Sequence, residues 1–170
     1  GFSATCGRTG TTIATATPFE STTSGALASG TMDGVIETAA DADIFVVNSG
    51  PGTLTAAVSP AGRSPNADLV LTVLDSNGTV VATNNPLNAA GAALTYQVPA
   101  QGTYYIQVKG TGQGDPTTSG YSNYGSVGNY RLTASYTAPG GIPPTPVLSV
   151  SPTSGTAPLA VTIDGRGSKD

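Results

Sequence analysis

The stretch from Asp68 to Asn84, DLVLTVLDSNGTVVATN, constrains the fold more than any other part of the chain. Leu69, Leu71 and Val73 alternate with Val70, Thr72 and Leu74. A period of two with β-branched residues at both parities predicts a strand buried on both sides. Asp75-Ser76-Asn77-Gly78 follows, and Asn-Gly between two apolar runs signals a tight hairpin, because such a turn needs a positive φ that Gly adopts without cost. Thr79 to Ala82 is then expected to return as the partner strand.

The same alternation recurs along the chain. Strands are predicted over residues 32–37, 43–48, 53–58, 93–98, 103–108 and 129–136, separated by Gly-, Pro- and Asp-bearing turns. Helical periodicity is missing beyond short Ala-rich pieces such as 89–93, which Gly91 interrupts. With the hairpin, this predicts about eight antiparallel strands. The expected fold class is all-β, a jelly-roll-like β-sandwich. Residues 1–30 read as an N-terminal linker or leader, with 11–18 either a short Thr/Ala strand or an extended part of it, and 31–136 as the sandwich. A Pro/Gly linker, TAPGGIPPTP, spans 137–146, and 147–170 reads as two strands opening a further, incomplete domain. We expect a fragment of a larger precursor.

Composition narrows the function classes. The net charge is −4 and only 9% of residues are charged, with lysines at Lys109 and Lys169. No basic stripe exists to meet nucleic acid or an anionic membrane, and no apolar run is long enough to insert. The chain has no histidine and one cysteine, Cys6. That removes the Ser-His-Asp and Cys-His nucleophile systems, most zinc sites and any intrachain disulfide. A sparsely charged sequence rich in Thr, Ser and Asn resembles secreted or cell-surface proteins more than cytosolic ones.

Several segments together resemble the bacterial pre-peptidase C-terminal (PPC) domain. They are Asp41-Ala42-Asp43-Ile44-Phe45, Asp68-Leu69, Asp75-Ser76-Asn77-Gly78, Gly102-Thr103-Tyr104-Tyr105 and Gly128-Asn129-Tyr130-Arg131-Leu132, within residues 11–136. The tail resembles the opening of an immunoglobulin-like PKD domain, through Ser151, Pro152, Gly155, Pro158 and Leu159, then Asp164, Gly165, Gly167, Ser168 and Asp170. PPC followed by PKD implies an accessory module of a secreted bacterial hydrolase, a peptidase first of all and often a metallopeptidase. It does not imply the catalytic module itself.

Two places are candidate sites. Asp41 and Asp43 stand two apart in a turn, with Asp33, Glu37 and Asp68 as possible neighbours, and hard oxygen ligands gathered in a loop suit Ca²⁺. The resemblance points the same way, since collagen-binding relatives bind Ca²⁺ through this turn and an acidic linker. Here residues 6–12 carry no carboxylate, and Asp41 and Asp43 have turn capping as their other reading. The second place is the long loop 110–128, where Tyr121 and Tyr124 offer aromatic faces to an extracellular polymer, a collagen-like protein or a polysaccharide, with Asn123 as a hydrogen-bonding partner. Their other reading is packing of the loop over the end of the sandwich.

The expected function is non-catalytic: substrate or surface binding, or spacing and stabilising neighbouring domains of the parent. The alternative is a structural subunit of an adhesin or filament, self-assembling by β-strand pairing.

Overall fold

The computed structural model describes residues 9–62, 66–140, 147–164 and 166–167. It divides into two compact units, 1–139 and 140–170. Cys6 lies outside the described residues.

The first unit is a sandwich of two five-stranded sheets. Its strands are β1 (Thr17–Pro18), β2 (Thr22–Ser24), β3 (Leu27–Ile36), β4 (Ala42–Ser49), β5 (Gly52–Pro60), β6 (Leu69–Leu74), β7 (Val80–Asn84), β8 (Ala92–Val98), β9 (Gly102–Gly110) and β10 (Gly128–Thr137). One sheet runs β1-β4-β9-β6-β7 and the other β2-β3-β10-β5-β8. The chain crosses between sheets at almost every connection. All pairings are antiparallel apart from β1 with β4, where Thr17 lies beside Phe45 in parallel. The jelly-roll-like sandwich expected from the alternation is therefore the fold.

The core is made by the strand residues of one parity. Phe45 and Val47 from β4, Leu71 and Val73 from β6, and Ile106 and Val108 from β9 face Leu54 and Val58 from β5 and Leu132 and Tyr136 from β10. Phe19 follows β1 and closes one side with an edge-to-face contact on Phe45, ring centroids 6.4 Å apart. β6 is buried along nearly its whole length, including Thr72 and Leu74, as its two-faced apolar pattern predicts. Its turn is set by Asp75, whose Oδ1 accepts from Asn77 N–H at 2.8 Å and Thr79 N–H at 2.9 Å, while Gly78 takes φ +82°. Asp75 is turn chemistry.

Residues 17–30 correct the expected leader. β1 adds to the edge of one sheet, and β2 with the first half of β3 forms a hairpin at the edge of the other. These residues are Thr, Ser, Ala and Gly with few large apolar side chains, so no hydrophobic period marks them. Backbone pairing holds them, with Phe19 N–H donating to Val46 O at 3.0 Å.

In the second unit, β11 (Ser149–Ser151) and β12 (Thr162–Asp164) form a two-stranded antiparallel ribbon. Its apolar residues Val147, Leu148, Val150, Leu159, Val161 and Ile163 are all exposed. Two strands alone do not enclose a core.

Candidate functional site

Asp43 is the second residue of β4 and has the parity of Phe45 and Val47, so the strand turns it inward. It is 3% exposed. From the opposite sheet, Tyr130 Oη donates a hydrogen bond to Asp43 Oδ2. The phenol reaches across because it lies over Gly34, its register partner on β3, where an added Cβ would sit 2.3 Å from Tyr130 Oη. Burial pushes the Asp43 carboxyl up to about 6. The bond from Tyr130 opposes that rise, the Asp41 and Glu37 charges add to it, and the Thr9 hydroxyl opposes it. Burial, with the Asp43 charge beside it, raises the Tyr130 phenol too.

Asp41 has a different task. Its Oδ2 accepts from Glu37 N–H at 2.9 Å and closes the turn between β3 and β4. Glu37 stays near enough for its charge to act on Asp43, while Asp33 and Asp68 are drawn elsewhere. Asp33 forms a two-point pair with Arg131, at 2.7 and 2.9 Å, on the exposed face of the β3/β10 sheet. Asp68 turns toward Tyr121. Ca²⁺ takes six to eight oxygen ligands. Among the described residues, no group of three or more His, Cys, Asp or Glu side chains is placed to hold a metal. The donor set at Asp41 and Asp43 does not fit a Ca²⁺ ion: one carboxylate is a core hydrogen-bond acceptor and the other a turn cap.

The 110–128 loop is tied down at several points. Gln113 and Tyr121 exchange backbone bonds at 2.9 and 2.8 Å, and Gly114, at φ +63°, packs against Gly120 in the narrow neck between them. Asp115 caps the tip, its Oδ1 accepting from Thr117 N–H and Oγ1–H at 2.8 and 2.7 Å, which holds its carboxyl below the usual range. Tyr121 Oη donates to Asp68 Oδ2 at 2.6 Å. Asp68 is 8% exposed, and its other oxygen is buried without a hydrogen-bond partner among the described residues. Asn123 Nδ2 donates to Ala39 O at 2.7 Å.

Of the three residues expected to bind a ligand, two are therefore engaged within the fold. Tyr121 is 47% exposed with its hydroxyl on Asp68, and Asn123 anchors the loop to the β3–β4 turn. Tyr124 differs. It sits in a single 3₁₀ turn, Asn123–Gly125, capped by Ser122 Oγ, and the residue is 85% exposed. The ring pairs among the described residues are Phe19–Phe45 and Tyr96–Tyr104, so Tyr121 and Tyr124 do not stack.

A feature that no single motif announces is a trough of about 730 Å³ on the outer face of the β2-β3-β10-β5-β8 sheet. One row across the five strands is hydroxyl throughout: Thr22, Ser29, Ser135, Thr55 and Thr95. Thr55 and Ser135 bond to one another at 2.7 Å. Its signal lies in β10, where Thr133 and Ser135 alternate with buried Leu132 and Ala134, but the meaning depends on which strands become neighbours.

No protein-family model and no curated protein matches this chain. Solved structures with a similar course include the pre-peptidase C-terminal domain of a collagenase from Bacillus anthracis, at 15% identity and a TM-score of 0.45, over 62% of this chain and 87% of that one. The periplasmic g-type lysozyme inhibitor PliG of Aeromonas hydrophila matches at 16% identity and 0.46, over 70% and 93%. The Yersinia pseudotuberculosis-derived mitogen matches at 16% and 0.45, over 66% and 89%. Likenesses at this level assign the chain neither a family nor a function.

Proposed function

We propose that this chain is a non-catalytic binding module of a secreted bacterial hydrolase, a peptidase first of all, and that it holds its parent on an extracellular polymer. The observation that carries this reading is Tyr124. A large aromatic residue that is 85% exposed gains nothing for the fold, yet the loop beneath it is held by the Tyr121–Asp68, Asn123–Ala39 and Ser122 capping bonds. Such a mount presents a flat apolar surface with little conformational entropy left to lose on binding. The low density of charge, 9% of residues, suits an uncharged partner such as a polysaccharide or a collagen-like protein. The motif resemblance to PPC and PKD domains supports the same role.

The test is a pull-down of the full chain on insoluble collagen, chitin and cellulose, beside Tyr124→Ala. Retention of the wild type on at least one polymer, weakened tenfold or more in the variant with an unchanged melting temperature, is the expected result. A wild type that passes through all three matrices overturns the reading.

A further inference from the structure

We propose that β8 is a self-pairing edge: two copies of this chain join their β8 strands antiparallel about a two-fold axis at Tyr96, merging two five-stranded sheets into one. This rests on backbone geometry that the binding reading does not use.

In an antiparallel strand each residue's N–H and C=O point to one side, and the sides alternate. Ala138 N–H donates to Ala26 O at 2.9 Å, so the even-numbered residues of β10 face β3. Its odd residues, Thr133 and Ser135, then face β5 at Ala57 and Thr55. That leaves Leu54, Ala56 and Val58 of β5 facing β8, where their register partners are Tyr96, Leu94 and Ala92. Ala93, Thr95 and Gln97 therefore direct their backbone groups away from the sheet. An independent bond agrees: Ala93 N–H donates outward, to Asn84 Oδ1 at 3.4 Å. β8 is the last strand of its sheet, so Thr95 and Gln97 present their N–H and C=O groups at an edge that no other described strand pairs.

Edges of this kind are normally blunted by shortness, Pro or charge. β1 and β2 have two and three residues, β1 ends in Pro18, and β7 has five residues, the last of which, Asn84, is taken up by Ala93 N–H. β8 runs for seven residues, AALTYQV, with no charge, Gly or Pro. The sequence also suits itself as a partner. Centring the pair on Tyr96 sets Thr95 opposite Gln97 of the second copy, and Gln97 opposite Thr95. All the outward groups of both residues bond, and the Ala93–Asn84 bond stays intact. On the core side the pairs become Tyr96 with Tyr96 and Leu94 with Val98, aromatic and aliphatic combinations that stabilise sheets. Leu94 and Tyr96 are only half-buried in one copy, with Tyr96 tilted on Tyr104 at 6.0 Å, so a second copy covers their remaining surface. Centring on Thr95 would instead require Ala93 N–H to leave Asn84.

The test uses the full chain. Sedimentation across a hundredfold concentration range should show the mass doubling, and Thr95→Pro should abolish it at unchanged melting temperature, since that N–H is outside the ladder. Register is read by cysteine capture on a Cys6→Ser background. Tyr96→Cys puts opposing Cα atoms about 4.5 Å apart and should oxidise to a covalent dimer. Thr95→Cys leaves them beyond about 7 Å and should remain uncrosslinked. A monomer at every concentration, equal capture of the two variants, or growth into open filaments would each overturn the proposal.

Discussion

Asp43 shows how one buried side chain couples the fold to pH. Its folded-state pKa of about 6 lies above the ordinary 3.8 of a carboxyl, so the fold binds this proton more tightly than the unfolded chain does. Stability from Asp43 is fully present below the unfolded value and is lost as pH rises through about 6. A rise of that size corresponds to about 3 kcal/mol. Asp43→Asn keeps an acceptor for Tyr130 and cannot ionise. The variant should therefore melt higher than the wild type at pH 8, with the difference shrinking toward zero by pH 4. Thermal melts at intervals between these limits check this, and a difference that stays constant across the range contradicts it. Asp33 and Asp115, whose carboxyls are held low, act in the opposite direction but are common to both proteins and cancel. The inward placement of Asp43 was legible, because it shares parity with Phe45 and Val47. An Asp-x-Asp spacing pointed to ligand chemistry instead. The bond to Tyr130 was not legible, since it depends on two sheets meeting and on Gly34 leaving room for the ring.

At the scale of elements, the eight strands with a clear apolar alternation were all readable, and burial of alternate residues explains why. β2 was not, and 11–18 read equally as a short strand or an extended leader, because edge strands of Thr and Ser form through neighbours' backbone groups and carry no period of their own. The 110–128 loop was recognisable as long, and the capping role of Asp115 was readable from Asp-Pro-Thr. Its fastening to Asp68 was not, because Asp68 and Tyr121 are distant in sequence and meet only through the β6–β9 register. That fastening has a measurable consequence. Tyr121→Phe removes the donor to Asp68 Oδ2 while the other carboxylate oxygen is already without a partner among the described residues. Leaving a buried acceptor unsatisfied costs about 1–3 kcal/mol. The variant should lose that much stability in denaturant unfolding, and backbone amides of the loop should exchange faster. Unfolding within about 0.3 kcal/mol of the wild type would mean that the loop is held elsewhere.

The whole molecule joins a closed sandwich to a short ribbon, and the two differ in what they bury. Every residue of the core cluster, from Phe19 to Tyr136, belongs to the first unit, and the half-buried residues packed on it end at Ala138. The division at 139/140 falls inside the Pro/Gly stretch, where the shift in composition marks it in the sequence alone. In the second unit the apolar side chains from Val147 to Ile163 are exposed at 40% or more, a surface that β11 and β12 alone cannot cover. Removal of residues 140–170 deletes no member of the core cluster and no strand of either five-stranded sheet. A chain ending at Pro139 should therefore unfold in one cooperative transition, with stability within about 0.5 kcal/mol of the full chain, the range typical of changes away from packed features. Calorimetry of the two lengths side by side decides this. A truncated chain that melts several degrees lower would show that the tail contributes to the sandwich. A second transition present only in the full chain would show that the ribbon folds cooperatively, against what its exposed apolar residues predict.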